Sequence, residues 1–339
     1  MERITMAHGS GGEETSRLIE AVFAKYLGNS YLSQMEDSTV VPGSSELAVT
    51  TDSFVVTPYI YPGGDIGRLC VCGTVNDLLM SGAVPQYLTC GFILEEGLPL
   101  EKLEQIVRSM ADTAEEAGVL VAAGDTKVIE NRGDAEGGLM INTAGVGFMR
   151  AGVQRLLPSG IQAGDQVLVS GRLGDHHAAI LGCRLQMAHS IRSDNAPLSE
   201  MAEALFDRGL HVHEMRDVTR GGLAGVLNEL AGASGKVIGL EEQDIPVSPE
   251  VTSFAGILGL DPLYMGNEGK MVLFVPKKEA QEALEIIRAC RYGEEAALIG
   301  SVREPEPEAG ESPILLLHTG IGGTRILGPL YGEGLPRIC

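Results

Sequence analysis

Tryptophan is absent from this chain of 339 residues, and aromatic residues make up only 4% of it. Its cores must therefore be filled by Val, Ile, Leu, Ala and Met, and a hydrophobic content of 44% supplies enough of them. Basic residues are also scarce: 25 Lys and Arg stand against 46 Asp and Glu, a formal net charge of −21. Binding a phosphate backbone or an anionic bilayer needs clustered Lys and Arg, so neither nucleic acid nor membrane is an expected partner. No run of about 18 apolar residues is present to cross a bilayer, and residues 1–10 contain no apolar signal core. A cytoplasmic location is expected. No CxxC pair occurs among the six cysteines, Cys70, Cys72, Cys90, Cys183, Cys290 and Cys339. Buried free thiols are therefore expected rather than a zinc site or a disulfide framework.

The length suits two domains, and 45 glycines gathered at turns suit an α/β protein with many tight connections. Hydrophobic periodicity predicts a strand over 47–56, a helix over 66–82, a strand over 86–95, an amphipathic helix over 100–117 closed by Gly118, a short strand over 119–123 and another over 139–149. Arg150 to Gly164 interrupts the pattern and reads as a boundary. Strand–helix alternation then resumes, with helices around 175–187, 197–208, 223–230, 250–258 and 278–290. Strands are expected over 166–170, 237–240, 271–275, 297–302 and 314–318. The expected division is 1–150, 151–319 and a mobile tail over 320–339.

Several short motifs sit at element boundaries. His8-Gly9-Ser10-Gly11-Gly12 precedes a helix and can present backbone N–H groups to phosphate, although it lacks P-loop spacing. Asp52 lies within an apolar strand, where a carboxylate must emerge at an end, bind something or cap a turn. Asn76-Asp77 interrupts an apolar helix, either as a satisfied core pair or as part of an inner surface. Gly124-Asp125-Thr126-Lys127 is expected at the end of a short strand, where an acid, a hydroxyl and an amine suit phosphate and metal chemistry, or form a polar turn. Asp217-Val218-Thr219-Arg220-Gly221-Gly222 opens a helix, and Asn267-Glu268-Gly269-Lys270 precedes a strand. His211 and His213 are expected on one face of a strand, in packing or surface roles. Asp37, Asp52, Asp77, Asp125 and Asp217 share this setting; gathered at one site they would suit Mg²⁺, which favours carboxylates together with substrate phosphates.

The chain closes on Gly332-Glu333-Gly334-Leu335-Pro336-Arg337-Ile338-Cys339. Gly332 and Gly334 loosen this segment, Pro336 stiffens it near its tip, and the thiol at its end is either a carrier of a covalently bound group or incidental. About 20 residues from Gly320 onward span up to roughly 65 Å when extended, at about 3.3 Å each.

Asp37-Ser38, Thr51-Asp52, Asn76-Asp77-Leu78, Gly124-Asp125-Thr126 and Asp217-Val218-Thr219-Arg220-Gly221-Gly222 together resemble the superfamily of aminoimidazole ribonucleotide synthetase, selenophosphate synthetase and thiamin-monophosphate kinase. Within it, residues 8–12, Asn267-Glu268-Gly269 and Pro336-Arg337-Ile338-Cys339 resemble the carbamoyl dehydratases of hydrogenase maturation. The resemblance implies an α/β fold (mixed sheets), a two-domain PurM-like ATP-binding fold whose N-terminal domain binds ATP and dimerises through its sheet and whose C-terminal α/β domain is followed by a flexible tail, and hence a homodimer. It implies ATP and Mg²⁺ as cofactors. Gly9, Gly11, Gly12, Asp37, Asp52, Asn76, Asp77 and Asp125 would hold the nucleotide, and Asp37, Asp52, Asp77, Asp125 and Asp217 the metal. Cys339 would carry an S-carboxamide received from the carbamoyltransferase HypF, Lys127 would neutralise the transferring phosphoryl group, and Glu268 would be the base. Cyanide would then pass to iron on the HypC–HypD scaffold complex, for [NiFe] hydrogenase. Two other readings stay open: another small-molecule kinase or synthetase of the superfamily, and a non-catalytic thiol carrier. Selenophosphate synthetases place a reactive Cys in the N-terminal glycine loop, and residues 8–12 here contain none.

Overall fold

The computed structural model describes residues 3–34, 38–131, 133, 136–153, 155–306 and 312–330. Asp37, Arg337 and Cys339 lie outside them. The described residues separate into two compact units, one within 3–79 and 83–153 and one within 80–82 and 155–330.

In the first unit a 3₁₀ turn (Met6–Gly9) leads into α1 (Glu13–Leu18), which continues through a π-helical segment (Ile19–Ala24) into α2 (Lys25–Leu27). Next come β1 (Leu47–Phe54), the two-residue strands β2 (Ile60–Tyr61) and β3 (Gly64–Asp65), and α3 (Ile66–Met80). The unit is completed by β4 (Ala83–Glu95), α4 (Leu100–Ala117), β5 (Leu120–Ile129) and β6 (Leu139–Met149). The main sheet has the order β1-β6-β4-β5, and only β4 and β5 run parallel. α4 is the crossover that a parallel pair requires. It buries Leu103, Ile106, Val107 and Met110 at helical spacing and stops at Gly118, whose φ of 73° supplies a left-handed cap.

α3 carries apolar side chains on all sides, and Ile66, Leu69, Cys70, Val71, Cys72, Val75 and Leu79 are fully buried. A helix of that kind belongs inside a core. Its contact with β6 is very close. The Thr74 and Thr143 hydroxyls are 2.5 Å apart, and Thr143 also donates to the Cys70 carbonyl at 3.2 Å. A Cβ on Gly145 would lie 2.7 Å from Thr74 Cγ2 and 2.9 Å from Leu78 Cδ1.

The second unit contains β7 (Asp165–Val169), α5 (Asp175–Arg184), α6 (Ser199–Asp207), β8 (Glu214–Asp217), α7 (Gly222–Ser234) and β9 (Val237–Glu241). They are followed by α8 (Pro249–Leu258), β10 (Met271–Pro276), α9 (Ala280–Ala289), β11 (Ala297–Arg303), β12 (Ile314–His318) and β13 (Thr324–Ile326). These strands form one sheet in the order β13-β12-β9-β11-β7-β10-β8, antiparallel except for β12 beside β9. Val272 and Phe274 of β10 pack in one cluster with Leu223, Leu227 and Leu230 of α7. The intervening Leu273 is also fully buried, and α9 packs against β7, β10 and β11. A strand covered on both faces reads as an unbroken apolar run, as Met271 to Val275 does.

Three expectations need correction. The strand expected to end at Ala123 runs to Ile129, because its parallel ladder with β4 continues through Asp125, Lys127 and Ile129. Gly124-Asp125-Thr126-Lys127 is therefore mid-strand rather than a terminal turn. The strand after α3 starts at Ala83 rather than Gln86 and accommodates Pro85 at a register shift. His211 and His213 precede β8 rather than lying within a strand. His211 Nδ1 is 3.0 Å from Glu279 Oε1, and His213 Nδ1 is 2.8 Å from Asp165 Oδ2.

Gly145→Ala is expected to push α3 off the sheet and cost about 1–3 kcal/mol, the range for an overpacked core. A lower urea midpoint at an unchanged slope would show it.

Candidate functional site

The expected site residues that are described fall into two groups, one in each unit. In the first, β1 alternates regularly. Thr50 and Asp52 are half-buried and turned toward α3, whereas Val49, Thr51 and Ser53 are exposed. The Thr50 hydroxyl donates to Asp77 Oδ2 at 2.8 Å. Asp52 Oδ2 lies 3.9 Å from where a Cβ on Gly73 would stand. Gly73 and Asp77 are one helical turn apart, so they share a face of α3. The two-residue period of the strand thus meets the four-residue step of the helix and brings both carboxylates to one edge of the interface. The neighbouring Asn76 is buried.

Asp125 and Lys127 belong to the other face of the sheet. Asp125 is in register with Gly91, Gly91 with Asn142, and Asn142 with Ser53. Asn142 Nδ2 donates to the Ser53 hydroxyl at 3.1 Å, which fixes the direction of that row. Asp52, by contrast, is in register with the buried Thr143. Asp125 and Lys127 are both exposed; the neighbouring β4 exposes Ile93 on the same face, and β1, at the opposite edge of the sheet, exposes Leu47 and Val49 (72%).

The glycines before α1 differ from one another. Gly9 packs on β5, since a Cβ there would meet Val128 Cβ at 2.7 Å. The Gly11 N–H donates to the Thr15 hydroxyl at 3.0 Å. Gly12 is the N-cap of α1, and its carbonyl accepts the Ser16 N–H at 3.1 Å and the Ser16 hydroxyl at 3.5 Å.

In the second unit, Asp217 ends β8 opposite Met271, and the chain around it is bonded to the loop containing Glu268. The Asn267 N–H and Nδ2 both donate to the Val218 carbonyl at 3.0 Å, and the Val218 N–H donates to the Lys270 carbonyl at 2.8 Å. Asn267 is fully buried and accepts the Gly174 N–H at 2.7 Å, which ties the loop to the start of α5. Glu268 is half-buried, and its N–H donates to Asp194 Oδ1 at 3.1 Å. Lys270 is buried, with Nζ 3.7 Å from Asp194 Oδ2. Asp175 completes the cluster. Burial, reinforced by the Asp194 carboxylate, pushes its pKa up to about 6 against the pull of Lys270 and Arg172. His176 and His177 follow it on α5, pushed down by burial to about 3 and about 4, so both are neutral at pH 7.

Asp175, Asp194 and Lys270 were not among the expected site residues. The polar run Ser193-Asp194-Asn195 was the available signal, but nothing in its spacing points to the loop at Glu268.

Among the described residues, no three His, Cys, Asp or Glu side chains are grouped to hold a metal ion. Asp52 and Asp77 do fit Mg²⁺, which binds through one or two carboxylates with the remaining positions left to water and phosphate. The described cysteines are all free thiols, and burial raises Cys90 to about 12. It is inert at neutral pH.

Two sequence-family models match the chain in order. "AIR synthase related protein, N-terminal domain" covers residues 35–149, and "AIR synthase related protein, C-terminal domain" covers residues 162–310. With the mixed-sheet units described above, they define the AIR synthase-related, PurM-like class. Carbamoyl dehydratase HypE of Rhodobacter capsulatus is 43% identical in an alignment 343 positions long that covers 100% of this chain and 98% of that protein. The crystal structure of hydrogenase maturation protein HypE in complex with ATP superposes with a TM-score of 0.93 at 41% identity, over 98% of this chain and 99% of that one. A HypE–HypF complex gives a TM-score of 0.78 at 42% identity, over 92% and 99%. The chain belongs to the HypE family of carbamoyl dehydratases.

Asp175 is disfavoured from ionising in the folded state. Its folded pKa lies above the ordinary 3.8, so the folded state binds more protons in that window and stability falls as pH rises from about 4 through about 6. Asp175→Asn removes this loss. Thermal scans should show a higher melting temperature than the parent protein at about pH 8, with the gain shrinking toward about pH 4.

Proposed function

We propose that this protein dehydrates an S-carboxamide on its own Cys339 to a thiocyanate, at the expense of ATP. The observation that carries the reading is the segment Pro336-Arg337-Ile338-Cys339 on a chain that matches carbamoyl dehydratases along its whole length. Hydroxide is a poor leaving group, so the amide oxygen must first be activated. That oxygen attacks the γ-phosphorus of ATP and ADP leaves. The nitrogen loses its protons as the C–O bond to phosphate breaks, leaving S–C≡N and inorganic phosphate.

Glu268 is our candidate for the base. It is half-buried and anchored by its backbone, as a base must be to reach its proton. Asp52 and Asp77, with Asp37, Asp125 and Asp217 as further candidates, would hold Mg²⁺ and the phosphates. The metal would supply charge neutralisation on the oxygens of the transferring phosphoryl group. Lys127 would add positive charge to that group, and Asn76, Gly9, Gly11 and Gly12 would line the nucleotide site. Asp125 and Lys127 lie on an exposed sheet face among apolar side chains, which supports a homodimer formed through that face. In such a dimer these two residues would adjoin the partner. HypF, found with HypE in a solved complex, would load the carbamoyl group, and HypC–HypD would take the cyanide. No helix of the described residues is long and apolar enough to cross a membrane; a cytoplasmic location remains part of the proposal.

Intact mass tests the reaction directly. After incubation with the carbamoyltransferase, carbamoyl phosphate and ATP, a carbamoyl adduct on Cys339 should lose the mass of one water when Mg-ATP is added. An adduct that keeps its mass would favour a thiol carrier, and full turnover of another substrate without Cys339 would favour a small-molecule kinase. Glu268→Gln is expected to keep ATP binding and slow dehydration by about 10²–10⁴-fold. Arg337, two residues before Cys339 in the sequence, should favour a thiolate there. Alkylation of Cys339 should therefore need a higher pH in Arg337→Ala, and coincident profiles would reject that role.

A further inference from the structure

We propose that Asp194 is the positioning residue for Glu268, an inference that rests on Glu268 as the base. The Asp194 side chain is only 5% exposed. Its Oδ1 accepts the Glu268 N–H at 3.1 Å. Two residues on, the Ala196 N–H donates to the Glu268 carbonyl at 3.4 Å. One short segment therefore grips both polar groups of the Glu268 peptide backbone.

The grip depends on direct contact between two backbones. A Cβ on Gly269 would lie 2.0 Å from the Asp194 carbonyl oxygen and 2.7 Å from the Ala196 nitrogen, so only glycine permits it. Asp194 Oδ2 is buried and makes no hydrogen bond; it faces the Lys270 ammonium at 3.7 Å. That ammonium donates to the Gly269 carbonyl at 3.0 Å. Asn267, Gly269 and Lys270 are all buried, and Glu268 alone in this loop is half-exposed. The charged acceptor makes the bond to the Glu268 N–H stronger than a neutral one. Losing it would free the backbone that aims the only carboxylate of the loop.

The test compares two variants that differ only in that acceptor. A buried ion pair can be replaced by apolar groups of similar volume without loss of stability, so Lys270→Met serves as the common background. In it, Asp194→Asn keeps an oxygen for the Glu268 N–H and Asp194→Leu does not. Single-turnover dehydration of carbamoylated Cys339 would be followed by intact mass, alongside ATP affinity and carbamoyl loading. We expect the Asn variant, in which both charges are removed together, to stay within about threefold of the wild-type protein. The Leu variant should be slower by about 10²-fold, the cost of misplacing a reacting group by about 1 Å, with ATP affinity and loading unchanged in both. Equal rates in the two variants would overturn the positioning role, whatever level they share. Wild-type turnover in Glu268→Gln would overturn instead the assignment of Glu268 as base, and with it the reason for positioning it.

Discussion

The bond between the Thr74 and Thr143 hydroxyls sits where α3 touches the sheet, and much of the first unit depends on that contact. A helix with no polar face has no use for a solvent-facing side. It is held at close range because β6 offers a glycine, Gly145, where it crosses. The polar groups that go under with it are satisfied in a short chain running from Thr74 through Thr143 to the Cys70 carbonyl. Were they unsatisfied, each would cost about 1–3 kcal/mol. The same closeness lets Thr50, on a strand, reach Asp77, on a helix.

The second unit solves a related problem by different means. Its loop at Asn267–Lys270 is buried, and buried loops must find partners for their backbone. They come from the end of β8, the start of α5 and the segment at Asp194–Ala196, three places far apart in sequence. Each contributes one or two bonds, and Glu268 is the one residue of the loop that is only half-buried. The cost appears at Asp175, whose ionisation is opposed by burial and by Asp194.

Much of the architecture was legible in the sequence because it follows from periodicity. Leu103, Ile106, Val107 and Met110 announce α4, Gly118 announces its end, and the unbroken Met271–Val275 run announces a strand covered on both faces. Individual acids such as Asp52 and Asp77 could be picked out because a carboxylate inside an apolar run needs a reason. Their grouping could not. Whether Asp125 joins Asp52 depends on the parity of its position along a strand, and β5 extends further than its apolar residues suggest. The polar Gly124–Lys127 stretch looks like a turn in one dimension and proves to be ladder in three. Asp194 escaped notice for a different reason. Its function-bearing contact is with a main-chain N–H, and backbone partners leave no trace in residue identity.

The alternation along β1 constrains how this protein can change over time. Its inward residues serve the helix side and its outward residues serve the exposed face, so one strand answers to two sets of demands. A shift of a single residue in register would exchange the two sets completely, placing Val49 and Thr51 inside and Asp52 outside. Neither surface could then be repaired without ruining the other. Insertions and deletions in this strand should be tolerated only in pairs, whereas the loops that flank it are free to drift in length.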